Sequence, residues 1–131
     1  MALDAAKAQA IADGYTAAWN SGHAAAVAGF YALDGQIVIN RGTPWLGRQG
    51  VAAMAQGFYG EVPDLHLSCD GIRLMGDHMI YLWTFTGHHA GTGNPLRISG
   101  CEEWDLDAAG LVKASRGWFD GDLYARQIAG A

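Results

Sequence analysis

Apolar positions in the first third of the chain recur at the helical period. Ile11, Tyr15 and Trp19 fall at i, i+4 and i+8, with Ala8 and Ala12 beside them. This stripe predicts an amphipathic helix starting near Asp4. Asn20-Ser21-Gly22 breaks it, and Ser21 is placed to cap a second helix carrying Val27, Phe30 and Tyr31. A short apolar run, QIVIN (36–40), and a Gly/Pro loop, RGTPWLG, come next. A third helix follows with Val51, Met54 and Phe58 on one face, and Pro63 closes the helical half.

From Leu65 the period changes to two. Strands are predicted near 65–75, 78–89, 96–107 and 111–120, separated by turns at Gly76-Asp77, Gly91 to Pro95 and Ala108-Ala109-Gly110. Helices first and antiparallel strands afterwards make an α+β domain with helices on one face of a sheet. One domain over 1–131 accounts for the whole pattern. In MIYLWTFTG the odd positions Tyr81, Trp83 and Phe85 are aromatic while Ile80 and Leu82 make the other face apolar too. A solvated face would alternate with polar residues. Helices or a cavity should therefore cover one face and a partner chain the other, most simply in a homodimer.

Face parity also organises the last two strands. In CEEWDLD the even positions are Glu102, Trp104 and Leu106; in LVKASRGWFD they are Val112, Ala114, Arg116, Trp118 and Asp120. That grouping sets Glu102 and Asp120 on an apolar face, with Glu103, Asp105 and Lys113 on the other set. A carboxylate on an apolar face needs a partner, hydrogen bonds or a proton. Two readings stay open: an ion pair with Arg116, or a pocket carboxyl whose raised pKa suits it to moving protons. The stretch RGWFDGDLYARQI (116–128) then reads as the end of a pocket-lining strand followed by a closing segment.

Composition narrows the classes of function. Half of the residues are hydrophobic, enough for a sizeable core, and the net charge is −5. Lysines and arginines are scattered singly, which argues against a nucleic-acid partner. Cys69 and Cys101 form no CxxC, no HxH pair occurs and the carboxylates are spread out, so neither a metal nor a cofactor is expected. The two cysteines read as small buried hydrophobes in a reducing compartment. The N-terminus lacks the pattern of a signal peptide, and no apolar run approaches the roughly 20 residues of a membrane span. A cytoplasmic protein without a membrane partner is the expectation.

The order of elements resembles the nuclear transport factor two-like superfamily, in particular its SnoaL-like polyketide cyclase and ketosteroid isomerase branches. The resemblance runs over roughly residues 8–128 and is carried by GYTAAWNSGH, YALDGQIVIN, LGRQGV, PDLHL, GDHMIYLWTFTGHHAG and EEWDLDAAGLVKASRGWFD. It implies a cone-like, curved antiparallel sheet packed by three N-terminal helices. It also implies roles residue by residue. Tyr15 falls where the isomerases place the tyrosine of their oxyanion hole, and Glu102 where they place a protonated acid that donates the second hydrogen bond. Their proton-shuttling aspartate would fall at about Ile39, next to Asn40, and Ile39 cannot take a proton. SnoaL-like cyclases place a catalytic aspartate at the end of the last strand, which matches Asp120, and His89 in GHHAG matches a histidine common in their loops.

The expectation that follows is a cofactor-independent cyclase or isomerase, acting by proton abstraction next to a carbonyl on a small hydrophobic substrate. Asp120 would be the base, with Tyr15 and Glu102 as polarising donors. Trp19, Trp83, Trp104 and Trp118 would wall the pocket, with Asn40, His89 and Arg116 at its polar points. Two alternatives share the fold. One is a non-catalytic small-molecule-binding or dimerisation module. The other is a hydrolase or dehydratase resembling limonene-epoxide hydrolases, for which Arg116 beside Asp120 would be the relevant pair.

Overall fold

The computed structural model describes residues 3–131. Four helices and six strands follow one another as α1 (Ala5–Asn20), α2 (Ala24–Ala28), β1 (Tyr31–Ile39), β2 (Trp45–Leu46), α3 (Gly47–Glu61), β3 (His66–Met75), β4 (His78–His88), β5 (Pro95–Leu106), β6 (Val112–Phe119) and α4 (Gly121–Ala129). The strands form one curved sheet in the order β2-β1-β6-β5-β4-β3. Every pairing is antiparallel except β1 with β6.

The first helix forms for the reasons its pattern gives. Asp4 caps it by accepting a hydrogen bond from the Lys7 amide at 2.8 Å. Ala8, Ala12, Tyr15, Ala18 and Trp19 make its buried stripe. At its far end the Asn20 side chain pairs with both the carbonyl and the amide of Leu67, at 2.8 and 2.7 Å, which ties α1 to β3. The third helix lies over β1 with Val51, Met54 and Ala55 buried. The core between helices and sheet is aromatic. Trp104, Tyr15, Tyr31 and Tyr81 are all fully buried, each contributing about 1.5–3 kcal/mol or more of burial free energy.

Four departures from the sequence pattern have local causes. The second helix stops at Ala28 and is entered at His23 without a side-chain cap. Ser21 instead donates to the Ala18 carbonyl and accepts from the His23 amide. Phe30 lies just beyond that helix, and Tyr31 already begins β1, which pairs with β6 over more residues than QIVIN suggested. Trp45 and Leu46, inside the predicted loop, form a two-residue edge strand against Gln36 and Ile37. The closing segment is a helix, α4, because Asp120 caps it and Gly130 ends it in the left-handed conformation.

The fifth departure moves side chains across the sheet. Leu106 pairs with Val112 but Asp105 pairs with Ala114, so Lys113 is an extra residue in β6. This bulge reverses the parity of everything after it. Ser115, Gly117 and Phe119 therefore share the inner face with Glu102, Trp104 and Leu106, while Arg116 and Trp118 turn to the outer face. The predicted grouping of Arg116, Trp118 and Asp120 with Glu102 is thus corrected.

Candidate functional site

On β5, Glu102 points inward between helix α1 and strands β1 and β6, and its carboxyl collects the polar side chains around it. Its Oε1 accepts from Tyr31 Oη at 3.0 Å, Trp104 Nε1 at 3.0 Å and Ser115 Oγ at 2.8 Å. Tyr15 Oη reaches both oxygens, at 3.1 Å from Oε1 and 3.0 Å from Oε2, and lies 3.2 Å from Tyr31 Oη. Among the described residues, Oε2 has no partner but Tyr15. The sequence places each donor locally. Tyr15 is on the buried stripe of α1, Tyr31 starts β1, Trp104 lies two residues along the same face of β5, and Ser115 sits directly across from Trp104 on β6.

Burial and hydrogen bonding act on this carboxyl in opposite directions. Removal from water pushes its pKa above the ordinary carboxylate range, and the donors from Trp104, Ser115, Tyr15 and Tyr31 pull it part of the way back. The two tyrosines are held far up, first by burial and then by the charge of Glu102, so they remain donors throughout the physiological range.

Glu102 opens on a cavity of about 510 Å³, its open mouth included. Trp19, Phe58, Trp83, Phe85 and Phe119 give it aromatic walls, and Ile37, Ile39, Met54, Leu65 and Leu67 supply aliphatic surface. Glu102 is the one titratable side chain in that lining, and Gly117 faces it across the β5–β6 pair. The shape depends on a glycine. A Cβ on Gly100 would collide with the Trp118 carbonyl oxygen and stand 2.6 Å from the Trp83 ring, so Trp83 lies across that position only because it is bare.

The structure brings together only some of the residues singled out in the sequence. Glu102, Trp19 and Trp83 line the cavity, with Tyr15 and Trp104 directly behind the carboxyl. Asp120 is exposed and accepts from the Leu123 amide at 3.0 Å as the cap of α4. Asn40 accepts from the Phe119 amide at 3.0 Å in a turn where it and Arg41 both have positive φ. His89 accepts from the Gly91 and Thr92 amides and comes within 3.9 Å of Glu61, outside the cavity lining. Arg116 pairs on the outer face with Asp105 at 3.3 Å and Glu103 at 3.9 Å, not with Glu102 or Asp120. Trp118 donates to Glu103 there, beneath the Arg41 guanidinium.

Tyr31 and Ser115 are site residues that the sequence pattern does not single out. The helical period draws Tyr31 into the end of a helix. Parity hides Ser115, although one signal is present: Lys113 and Arg116 lie on opposite faces of a regular strand, and both charges can avoid the core only if the strand bulges, as it does at Lys113. Among the described residues no group of three or more His, Cys, Asp or Glu is placed to hold a metal, and no helix is long and apolar enough to cross a membrane.

Comparison with known proteins agrees with this fold. The family model for the SnoaL-like domain matches residues 12–114. Among solved structures, TsrD from Streptomyces laurentii shares 20% identity over 98% of this chain and 99% of its own, with a TM-score of 0.85. A hypothetical protein of ketosteroid isomerase-like fold from Catenulispora acidiphila, solved in complex with trimethylamine, shares 18% over 91% of this chain and 92% of its own, at 0.83. A protein of Jannaschia sp. CCS1 assigned as a SnoaL-like polyketide cyclase shares 13% over 94% of each chain, at 0.78. Identities this low establish a common fold. No curated protein matches.

Proposed function

The chain belongs to the SnoaL-like domain family, and from that premise we propose that it is a cofactor-independent cyclase or isomerase in which Glu102 moves a proton next to a carbonyl of a small hydrophobic compound. The observation that carries this reading is the asymmetry of the Glu102 carboxyl. Oε1 is saturated by Tyr31, Trp104, Ser115 and the shared Tyr15 hydroxyl, while among the described residues Oε2 is held by Tyr15 alone. Oε2 is therefore the oxygen with a lone pair to spare. A carboxylate whose pKa burial raises is a stronger base than one in water, and its fixed donors keep the ionised form accessible. Ionised Glu102 takes the proton α to the carbonyl, becomes neutral in an apolar cavity that favours the neutral form, and returns the proton at the end of the rearrangement. Asp120 has no part in this step, since its carboxyl caps α4.

The test does not depend on the identity of the natural substrate. Small hydrophobic ketones incubated in D₂O with the protein should exchange their α-hydrogens faster than in buffer, followed by NMR, and Glu102→Gln should slow the exchange by about 10²–10⁴-fold. Full exchange activity in the variant would overturn the assignment. A second reading, a non-catalytic binding module, draws on the lone titratable group of the lining and on Ile39, whose apolar side chain supplies no further base. It predicts that ketones bind without any accelerated exchange.

The outer face supports a homodimer formed through the sheet. Ile80, Leu82, Cys101 and Trp118 are only half-buried there, flanked by the Arg116, Glu103 and Asp105 charges. Light scattering should return twice the 13.9 kDa chain mass, and Leu82→Glu should return the monomer.

A further inference from the structure

Three inner-face positions line up across the sheet at the floor of the cavity. Glu102 on β5 pairs with Gly117 on β6, and Gly117 pairs in turn with Ile39 on β1. All three line the cavity. The middle of the row is bare, so a carboxyl side chain and an isoleucine flank a patch of naked backbone.

Nothing within the described protein accounts for that glycine. A glycine inside a strand weakens it, because it has no side chain to pack and more freedom to lose. Strands keep one where φ is positive, where the chain bulges, or where something passes close to the backbone. Gly117 does not have a positive φ. The bulge of β6 is at Lys113, and the ladders on both sides of Gly117 are regular. A Cβ there would stand 3.5 Å from Ile39 Cγ1, 3.9 Å from the Val38 carbonyl oxygen and 4.0 Å from Glu102 Cγ, which is ordinary contact at every point. Other strand glycines differ. At Gly35 a Cβ would stand 2.6 Å from the Val112 carbonyl oxygen, and at Gly87 it would collide with the Val62 side chain. What passes close to Gly117 is therefore the occupant of the cavity.

We propose that Gly117 is the specificity-determining residue of the site: the notch over its Cα receives the edge of a flat, ring-bearing ketone, and this brings the α-carbon beside the Glu102 side chain. The proposal names the substrate class of the proton-transfer reading given above and rests on it. The walls favour a flat ring as well. Trp19 packs on Phe58 at 6.2 Å, Phe58 on Phe119 at 6.5 Å, and Trp83 on Phe119 at 6.2 Å and on Phe85 at 5.9 Å, a continuous aromatic belt around the notch. Rings stack or pack edge-on against such a belt. A bicyclic ketone that fills the belt reaches the floor only at Gly117, since its inner-face neighbours Glu102, Ile39, Ser115 and Phe119 all carry side chains. A short open-chain ketone can lie above the notch without entering it.

Gly117→Ala tests this in the intact protein. Its φ suits alanine and the new methyl has room, so the variant should melt no lower than wild type. NMR titration should show β-tetralone, a flat bicyclic ketone, bound about 10–100-fold more weakly, while butanone changes by less than about threefold. Exchange of α-hydrogens in D₂O should follow the same selectivity. A clearly lowered melting temperature assigns the glycine to packing and overturns the proposal. So does a wild type that binds no β-tetralone, an unchanged affinity for it in the variant, or equal losses for both ketones. Glu102→Gln in the same exchange assay separates the two ideas. Loss there without size selectivity in Gly117→Ala leaves the base in place and removes Gly117. Full exchange in Glu102→Gln removes the proton-transfer reading, and the binding ratio of the two ketones then decides the role of Gly117 by itself.

Discussion

Glu102 and Glu103 are neighbours in sequence and belong to different physical worlds. Glu102 faces the core, 7% exposed, with four side-chain donors around it. Glu103 faces out, its side chain 39% exposed, near Arg116 and bonded by Trp118. The pleat alone separates them. The chemistry of a carboxyl here is thus decided by which side of one strand it takes, since both side chains have the same intrinsic acidity.

The strongest way to break this contrast is to neutralise each acid in turn. Glu102→Gln should cost about 10²–10⁴ in ketone exchange, whereas Glu103→Gln should leave the rate within about twofold, because surface pairs are worth little. Equal effects would mean that burial does not set the function. Next in size is packing on the inner face. Gly100→Ala forces a Cβ into the Trp118 carbonyl and the Trp83 ring and should destabilise by about 1–3 kcal/mol in denaturant unfolding. Ser99→Ala beside it, on the outer face, should cost well under that. Removing one donor is the third probe. Tyr31→Phe should cost about 1–3 kcal/mol and raise the Glu102 pKa further, since that hydrogen bond favours the ionised carboxyl.

A pH titration of stability sharpens the comparison within one strand. Glu102 has a folded pKa above its unfolded value, so the folded state binds the extra proton. Its contribution is most favourable at low pH and is lost as pH rises from about 4.5 through the folded pKa. Asp105 has the opposite sign: hydrogen bonds and charge from Arg116 and His78 depress its pKa, so its contribution is present above the unfolded value and is lost on acidification. Glu102→Gln should therefore flatten the decline that begins above about pH 4.5, and Asp105→Asn the decline on acidification, in melting curves across pH. The smallest effect is expected at Asp120. Asp120→Asn keeps a competent cap and should leave both stability and exchange near wild type. A large loss of exchange there would return the base to the end of β6.

Most of the fold was legible because its signals are local. The α1 stripe, the turns at Gly76 and Gly110 and the period-two strands specify elements whose ends the structure moves by a residue or so. Glu102 and Tyr15 were also legible, through their places on a strand and a helix stripe. What was not legible depends on pairing between strands. Whether Trp118 or Phe119 faces the cavity is decided by how β6 registers against β5 across a bulge, and no property of either side chain announces it. Asp120 was misplaced for a related reason: a helix cap and a pocket acid have the same residue type at the same strand end, and only the helix beyond distinguishes them.

The extra residue in β6 behaves like a frameshift written in side chains rather than codons. Deleting Lys113 would leave a plain alternation with the faces as they are, whereas keeping it in a regular strand would present Arg116 and Trp118 to the cavity and turn Ser115, Gly117 and Phe119 outward. A one-residue shift in pairing that absorbs Lys113 into the ladder is thus the route to a cationic, indole-walled interior. Comparison of related chains should begin by locating the bulge before aligning any supposed site residue on the last strand.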